Sequence, residues 1–206
     1  MIICVVPAAG ISKRFPWNKL LFRYHDKPLV VQVLENIVNS EAVDSIVLVT
    51  GYMKLEIEEA VREAGLKVEF VWNPNYEVGG MSSSIRAGVS FARSKYASIE
   101  AVMVNPADAA WIHPGVYALV VSKYSDYSGY YKVAVAAYRG RRGHPILFSG
   151  DLIEELLTIS EEKQGLKEVV NKYRYSTLVV ETEYPGVLLD LDTILDVLRV
   201  KATIYK

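Results

Sequence analysis

The chain has one cysteine, Cys4, so no intrachain disulfide can form. Cys4 sits in an apolar run and reads as a small buried hydrophobe, which points to a reducing compartment. An excess of either charge is also missing: the formal net charge is −1. That excludes the basic surface that binds nucleic acid without sequence preference, and any phosphate ligand must be held by local charge. No apolar stretch is long enough to span a membrane. Pro7 and Gly10 interrupt the N-terminal run and charges follow at once, so a secretory signal is not expected. The expected setting is cytoplasmic, with neither nucleic acid nor membrane as a partner.

Repeats and low-complexity linkers are absent too. The 206 residues, 51% of them hydrophobic, suit a single α/β domain over 1–206 with a sizeable core. The pattern alternates strand and helix. Residues 1–6 form a continuous apolar run, as in a central strand buried on both faces. Further strands are expected over 45–50, 68–72, 101–105, 132–137, 146–148 and 178–181, with a short apolar run at 187–189. Helices are expected from Pro28 and over 55–64, 81–93, 115–123, 151–158 and 165–172, with a last one from Asp192. Such alternation predicts a three-layer, doubly wound, mostly parallel sheet of the Rossmann-like type. Ligands of such sheets sit beyond the carboxyl ends of the strands, where the loops after the first strand, around Asp108 and around Asp190 can converge.

The loop over 7–19 follows the first strand and contains Ala8-Ala9-Gly10-Ile11-Ser12-Lys13-Arg14-Phe15-Pro16-Trp17-Asn18-Lys19. Small residues let a ligand approach the backbone N–H groups. Lys13, Arg14 and Lys19 match a triphosphate, which carries roughly four negative charges. Neither G-x-x-x-x-G-K-[ST] nor G-x-G-x-x-G occurs here, so the two commonest phosphate loops are excluded. The plainer alternative is a solvated loop.

Asp108 follows an apolar strand, where a carboxylate serves either as an Mg²⁺ ligand or as a cap. Asp190 and Asp192 are two residues apart, which puts both on one face of an extended segment. Asp192 is also a candidate N-cap. Gly79-Gly80-Met81-Ser82-Ser83-Ser84 is a turn entering a helix whose N-terminus favours anions, with Gly80, Ser82 and Ser84 as candidate contacts. Residues 139–145, including Arg142, Gly143 and His144, read as a basic loop between strands; His25 and His113 read as structural.

Taken in order, these segments resemble the nucleotidyltransferases that build molybdenum cofactors. Residues 8–19 resemble the signature A-A-G-x-S-x-R-[MF]-G-x-x-K. Gly80-Met81-Ser82 resembles G-M-[SA]-x-S-[LI], Asp108 the acid of G-D-Q-P, Gly143-His144-Pro145 the R-x-G-H-P element, and 190–193 the D-[IV]-D-T-P run. The chain departs at Pro16 and Ala107, where the family has Gly, and at Ala109-Ala110, where it has Gln-Pro. The resemblance implies an Mg²⁺-dependent nucleotidyltransferase that moves NMP from an NTP to the phosphate of a molybdopterin-type acceptor with release of pyrophosphate. CTP is favoured over GTP or ATP by the Ala-Ala-Gly start and the Gly-His-Pro element. Implied nucleotide contacts are Ala8, Ala9, Gly10, Ser12, Gly80, Ser82 and Ser84. Arg14, Lys19 and Asp108 are the implied catalytic residues. Asp108, Asp192 and Asp190 are the implied metal positions, and Arg142, Gly143 and His144 lie on the acceptor side. A molybdoenzyme would receive the product. Alternatives are a sugar- or polyol-phosphate nucleotidyltransferase and a non-catalytic nucleotide-binding module.

Overall fold

The computed structural model describes residues 1–193, 195–198 and 200. In chain order its elements are β1 (Ile2–Ala8), a short hairpin of β2 (Arg23–Tyr24) and β3 (Lys27–Pro28), α1 (Leu29–Val38), β4 (Ser45–Thr50), α2 (Lys54–Glu63), β5 (Glu69–Trp72), α3 (Gly80–Lys95), β6 (Ala101–Val104), α4 (Pro114–Asp126), β7 (Val133–Tyr138), β8 (Arg141–Ser149), α5 (Ile153–Leu156), α6 (Leu166–Lys172) and β9 (Thr177–Glu181). Seven strands form one sheet in the order β5-β4-β1-β6-β8-β7-β9. β4 and β6 flank β1 in parallel, while β8 pairs antiparallel with both β6 and β7. The sheet is therefore mostly parallel, as expected.

Alternation along β1 explains the layers. Cys4 and Val6 face the core made with α1, α2 and α4, while Ile3 and Val5 face the core made with α3, α5 and α6. Every residue of β1 is buried, which is why its sequence is apolar without a break. Leu29, Val33 and Ile37 give α1 its buried stripe. From β1 the chain builds outward through β4 to β5, then returns to β6 on the other side. The reversal opens a crevice at the carboxyl ends of β1, β4 and β6.

Residues 139–145 differ from expectation. Only Arg139 and Gly140 turn, both at positive φ (50° and 75°), and Arg142, Gly143 and His144 lie on β8. β6 pairs only with the stretch from Ile146 to Ser149, so the first part of β8 projects past it with β7 as its sheet neighbour. That exposure gives a strand the polar, basic composition of a loop. The helix expected over 151–158 divides into a 3-10 turn, Gly150–Leu152, and the short α5. The run near 187 is a 3-10 turn, Pro185–Leu188. The β2–β3 hairpin, turned by His25 and Asp26 in the left-handed region, was not foreseen. Of the helix expected from Asp192, residues 194, 199 and 201–206 lie outside the described residues, and 196–198 are helical.

Candidate active site

A cleft of about 240 Å³ opens at the reversal point. Eight of the residues singled out from sequence line it: Ala8, Ala9, Gly10, Ser12, Lys19, Gly80, Ser84 and Asp108. The first loop is held in place from within. Phe15 is buried, edge-on to Phe22 at 5.6 Å, and its N–H donates to Ser12 O at 2.8 Å. Asn18 is buried; its side chain accepts from Leu20 N at 2.9 Å and starts a 3-10 turn, Lys19–Leu21. Lys19 N donates to Ser12 Oγ at 3.3 Å. Lys19 thus leaves a fixed backbone, with its ammonium turned into the cleft.

That ammonium joins the two ends of the chain. Lys19 Nζ pairs with Asp108 Oδ2, and lies 3.3 Å from Asp192 Oδ1. Arg14 Nη2 holds the other oxygen of Asp192 at 2.9 Å. Arg14 is mostly exposed and stands at the rim, whereas Lys19 and Asp108 are largely shielded from solvent. The Asp192 carboxylate thus binds both cations, while the Asp196 carboxylate accepts from Asp192 N (3.1 Å) and Thr193 N (2.7 Å). Ala107, Ala109 and Ala110, where the chain departs from its resemblance, are all buried in the core beneath the cleft.

The opposite wall is the first turn of α3. Asn73 is buried and donates to Ser83 Oγ (2.7 Å) and Ser84 Oγ (3.0 Å), while its Oδ1 accepts from Asn75 N at 3.0 Å. Met81, from the Gly80-Met81-Ser82 stretch, and Tyr76, which the sequence did not single out, complete this side. Ser82 is turned elsewhere. It is buried, donates through both N–H and hydroxyl to Glu161 Oε1 at 2.7 Å, and does not line the cleft. A direct nucleotide contact from Ser82 is therefore not supported by its placement.

Asp190 and His144 stand beside the aspartate pair rather than in the cleft lining. Asp190 is raised above the usual carboxylate range, first by the protein around it displacing water. Asp108 and Asp192 add to the rise, while His144 and Lys19 oppose it. His144 Nδ1 is buried and has no hydrogen-bond partner among the described residues. Gly143 lies against the Val187 carbonyl with no room for a Cβ, which presses β8 onto the segment leading to Asp190. Arg142 is exposed on β8, opposite Ala137 of β7.

The donors fit a hard divalent cation. Asp108 and Asp192 both reach one positive centre, and both offer oxygen. Among the described residues no three His, Cys, Asp or Glu side chains gather into a metal site, so phosphate and water oxygens would complete any coordination shell. His113 has a structural place, its Nδ1 accepting from Gly115 N at 3.1 Å at the start of α4. A wider cleft, about 660 Å³ and walled by Tyr24, Trp111, His113 and Tyr184, contains none of the residues singled out for chemistry.

A mostly parallel sheet with a cation-bearing loop after β1 and carboxylates at the far end of the cleft is the layout of a nucleotidyltransferase. Residues 4–177 match the MobA-like NTP transferase domain, and the chain belongs to that family. Over 141 residues it is 28% identical to a probable molybdenum cofactor guanylyltransferase of Thermococcus sibiricus, covering 66% of this chain and 68% of that one. Over 73 residues it is 38% identical to a pseudaminic acid cytidylyltransferase of Campylobacter jejuni, covering 35% of this chain and 30% of that one. Among solved structures, a nucleotidyl transferase from Methanothermobacter thermautotroptrophicus superimposes with a TM-score of 0.79 at 23% identity, covering 98% of this chain and 96% of the other. No helix among the described residues is long and apolar enough to cross a membrane.

Proposed function

We propose that the chain transfers NMP from an NTP to the phosphate of a molybdopterin-type acceptor and releases pyrophosphate, with Mg²⁺ as the metal and a molybdoenzyme as receiver of the product. The observation that carries this reading is the meeting of Lys19, Asp108 and Asp192 beside the Ala8-Ala9-Gly10 loop, which joins residues 173 positions apart. CTP is the favoured nucleotide because of the Ala-Ala-Gly and Gly-His-Pro elements. The guanylyl and cytidylyl activities named for the two relatives make GTP the necessary comparison.

In this reading the loop over 8–12 offers backbone N–H groups to the phosphates, and Lys19 and Arg14 supply fixed positive charge. Asp108 and Asp192 would hold Mg²⁺, which when bound neutralises phosphate charge and orients the triphosphate. Tyr76, Met81 and Ser84 form the wall for the base. An acceptor phosphate oxygen attacks the α-phosphorus, the α–β bond breaks, and the pair of electrons leaves with pyrophosphate. The acceptor is already ionised at neutral pH, so no general base is required; positioning and charge do the catalysis. Arg142 and His144, on the projecting part of β8, would face the acceptor.

The test is pyrophosphate release from each of the four ribonucleoside triphosphates with Mg²⁺, using molybdopterin, a sugar phosphate or a polyol phosphate as acceptor. The expected result is release with CTP and molybdopterin. Release only with a sugar or polyol phosphate replaces the acceptor, and tight NTP binding without release from any pair identifies a non-catalytic module.

A further inference from the structure

The turn over 159–165 lies far from every motif of the nucleotide site in sequence, yet it is fastened to the first turn of α3. Glu161 Oε1 accepts two hydrogen bonds from Ser82, one from the backbone N–H and one from the hydroxyl, each at 2.7 Å. Arg86 Nη1, one turn further along α3, donates to Ile159 O at 2.8 Å. Gly165 closes the turn at φ +57°, where a Cβ would come within 2.9 Å of Ser82 Oγ. Gly80, at φ +58°, leaves no space for a Cβ because the Glu161 side chain fills it.

Three physical consequences follow. A carboxylate at the start of a 16-residue helix satisfies the Ser82 N–H, which lies in the turn whose N–H groups have no partner within the helix, and is favoured by the helix dipole. With Glu161 in that place, the anion site at the start of α3 is already filled by the chain itself. The triphosphate is thereby directed to the other end of the cleft, at Lys19. Finally, Gly80, Met81 and Ser84, which line the cleft, are held in one arrangement before any ligand arrives.

We propose that Glu161 is a positioning residue for the nucleotide: by binding Ser82 it fixes the α3 side of the cleft, and so sets NTP affinity rather than the rate of transfer. This rests on the nucleotidyltransferase reading, and the two are tested separately. Wild-type protein that releases no pyrophosphate with any NTP counts against the function itself. Given wild-type turnover, Glu161→Ala is expected to raise the KM and the calorimetric Kd for the preferred NTP by about 10–100-fold, with kcat within about threefold of wild type. Glu161→Gln keeps an oxygen able to accept both Ser82 bonds and is expected to recover most of that affinity. Arg86→Ala releases the other end of the turn without touching Glu161, and is expected to raise KM by a smaller factor in the same sense. Unchanged Kd in Glu161→Ala, or equal losses in kcat and affinity that Glu161→Gln does not relieve, overturns the proposal. If Glu161→Ala does not fold, Glu161→Gln and Arg86→Ala decide it: wild-type affinity in Arg86→Ala together with a Glu161→Gln affinity as poor as that of a cleft variant such as Ser84→Ala contradicts the positioning role.

Discussion

The two sides of the cleft are built in opposite ways. On the nucleotide side nearly every polar group has an internal partner: Asn18 holds the first loop, Asn73 ties Ser83 to Ser84, and Glu161 takes both Ser82 donors. On the acidic side the groups remain open. Arg14 is mostly exposed and Asp192 partly so, His144 Nδ1 has no partner among the described residues, and Asp190 is raised by desolvation and by its acidic neighbours. Of these groups only His144 Nδ1 is both buried and unpartnered, a costly state that a ligand atom would relieve. The tied wall suits a ligand part that is always the same, a nucleotide. The open side suits charged atoms that arrive with metal and acceptor.

That contrast can be broken by substitution. The largest effect is expected where the sides meet. Lys19→Ala or Asp108→Ala should lower pyrophosphate release by about 10²–10³-fold, with an unchanged circular dichroism spectrum. Near-normal turnover in either variant removes the residue from the catalytic set. Asp192→Asn should cost less, about tenfold or more, and under the proposed metal role the loss should shrink as Mg²⁺ is raised in a titration, since the Asp108 carboxylate survives. A loss independent of Mg²⁺ would assign Asp192 to charge pairing alone.

Smaller effects sharpen the same picture. Arg14→Ala, at the exposed rim, should change KM by tenfold or less and the difference should fade with added salt, because an exposed pair is screened. Asn73→Ala should lower stability by about 1–3 kcal/mol in denaturant titrations, since it removes hydrogen bonds in a buried setting. Stability within 0.5 kcal/mol of wild type, roughly the spread of neutral surface changes, would mean the nucleotide wall is not held this way. Cys4, fully buried with its thiol raised by desolvation, should resist a thiol reagent in the native state and react only on unfolding.

Much of this was legible in the sequence because local composition and position agree. The unbroken apolar run of β1 requires burial on both faces, and the small residues and cations after it marked the following loop as a candidate phosphate site. Asp108 after β6 read equally as a metal ligand or a cap, and only the family resemblance favoured the former. Other features carried no such local mark. Arg142 to His144 read as loop because that part of β8 runs beyond β6, and exposed strand has the composition of a turn. Ser82 looked like Ser84, but only the fold brings Glu161 to it from 79 residues away. Asp192 reaches Lys19 across 173 positions, a pairing that no local pattern marks. Tyr76 belongs to a residue type common in any core, and nothing in its spacing set it apart.

The most direct test of the shared cavity is a double-mutant cycle on kcat/KM for pyrophosphate release, with Lys19→Ala, Asp108→Ala and the double variant. Groups that act on one triphosphate as a unit are strongly non-additive, so the double variant is predicted to lose little more than the worse single change. Losses that multiply in full would contradict the account, because they would mean that the loop after β1 and the downstream acid act on separate events.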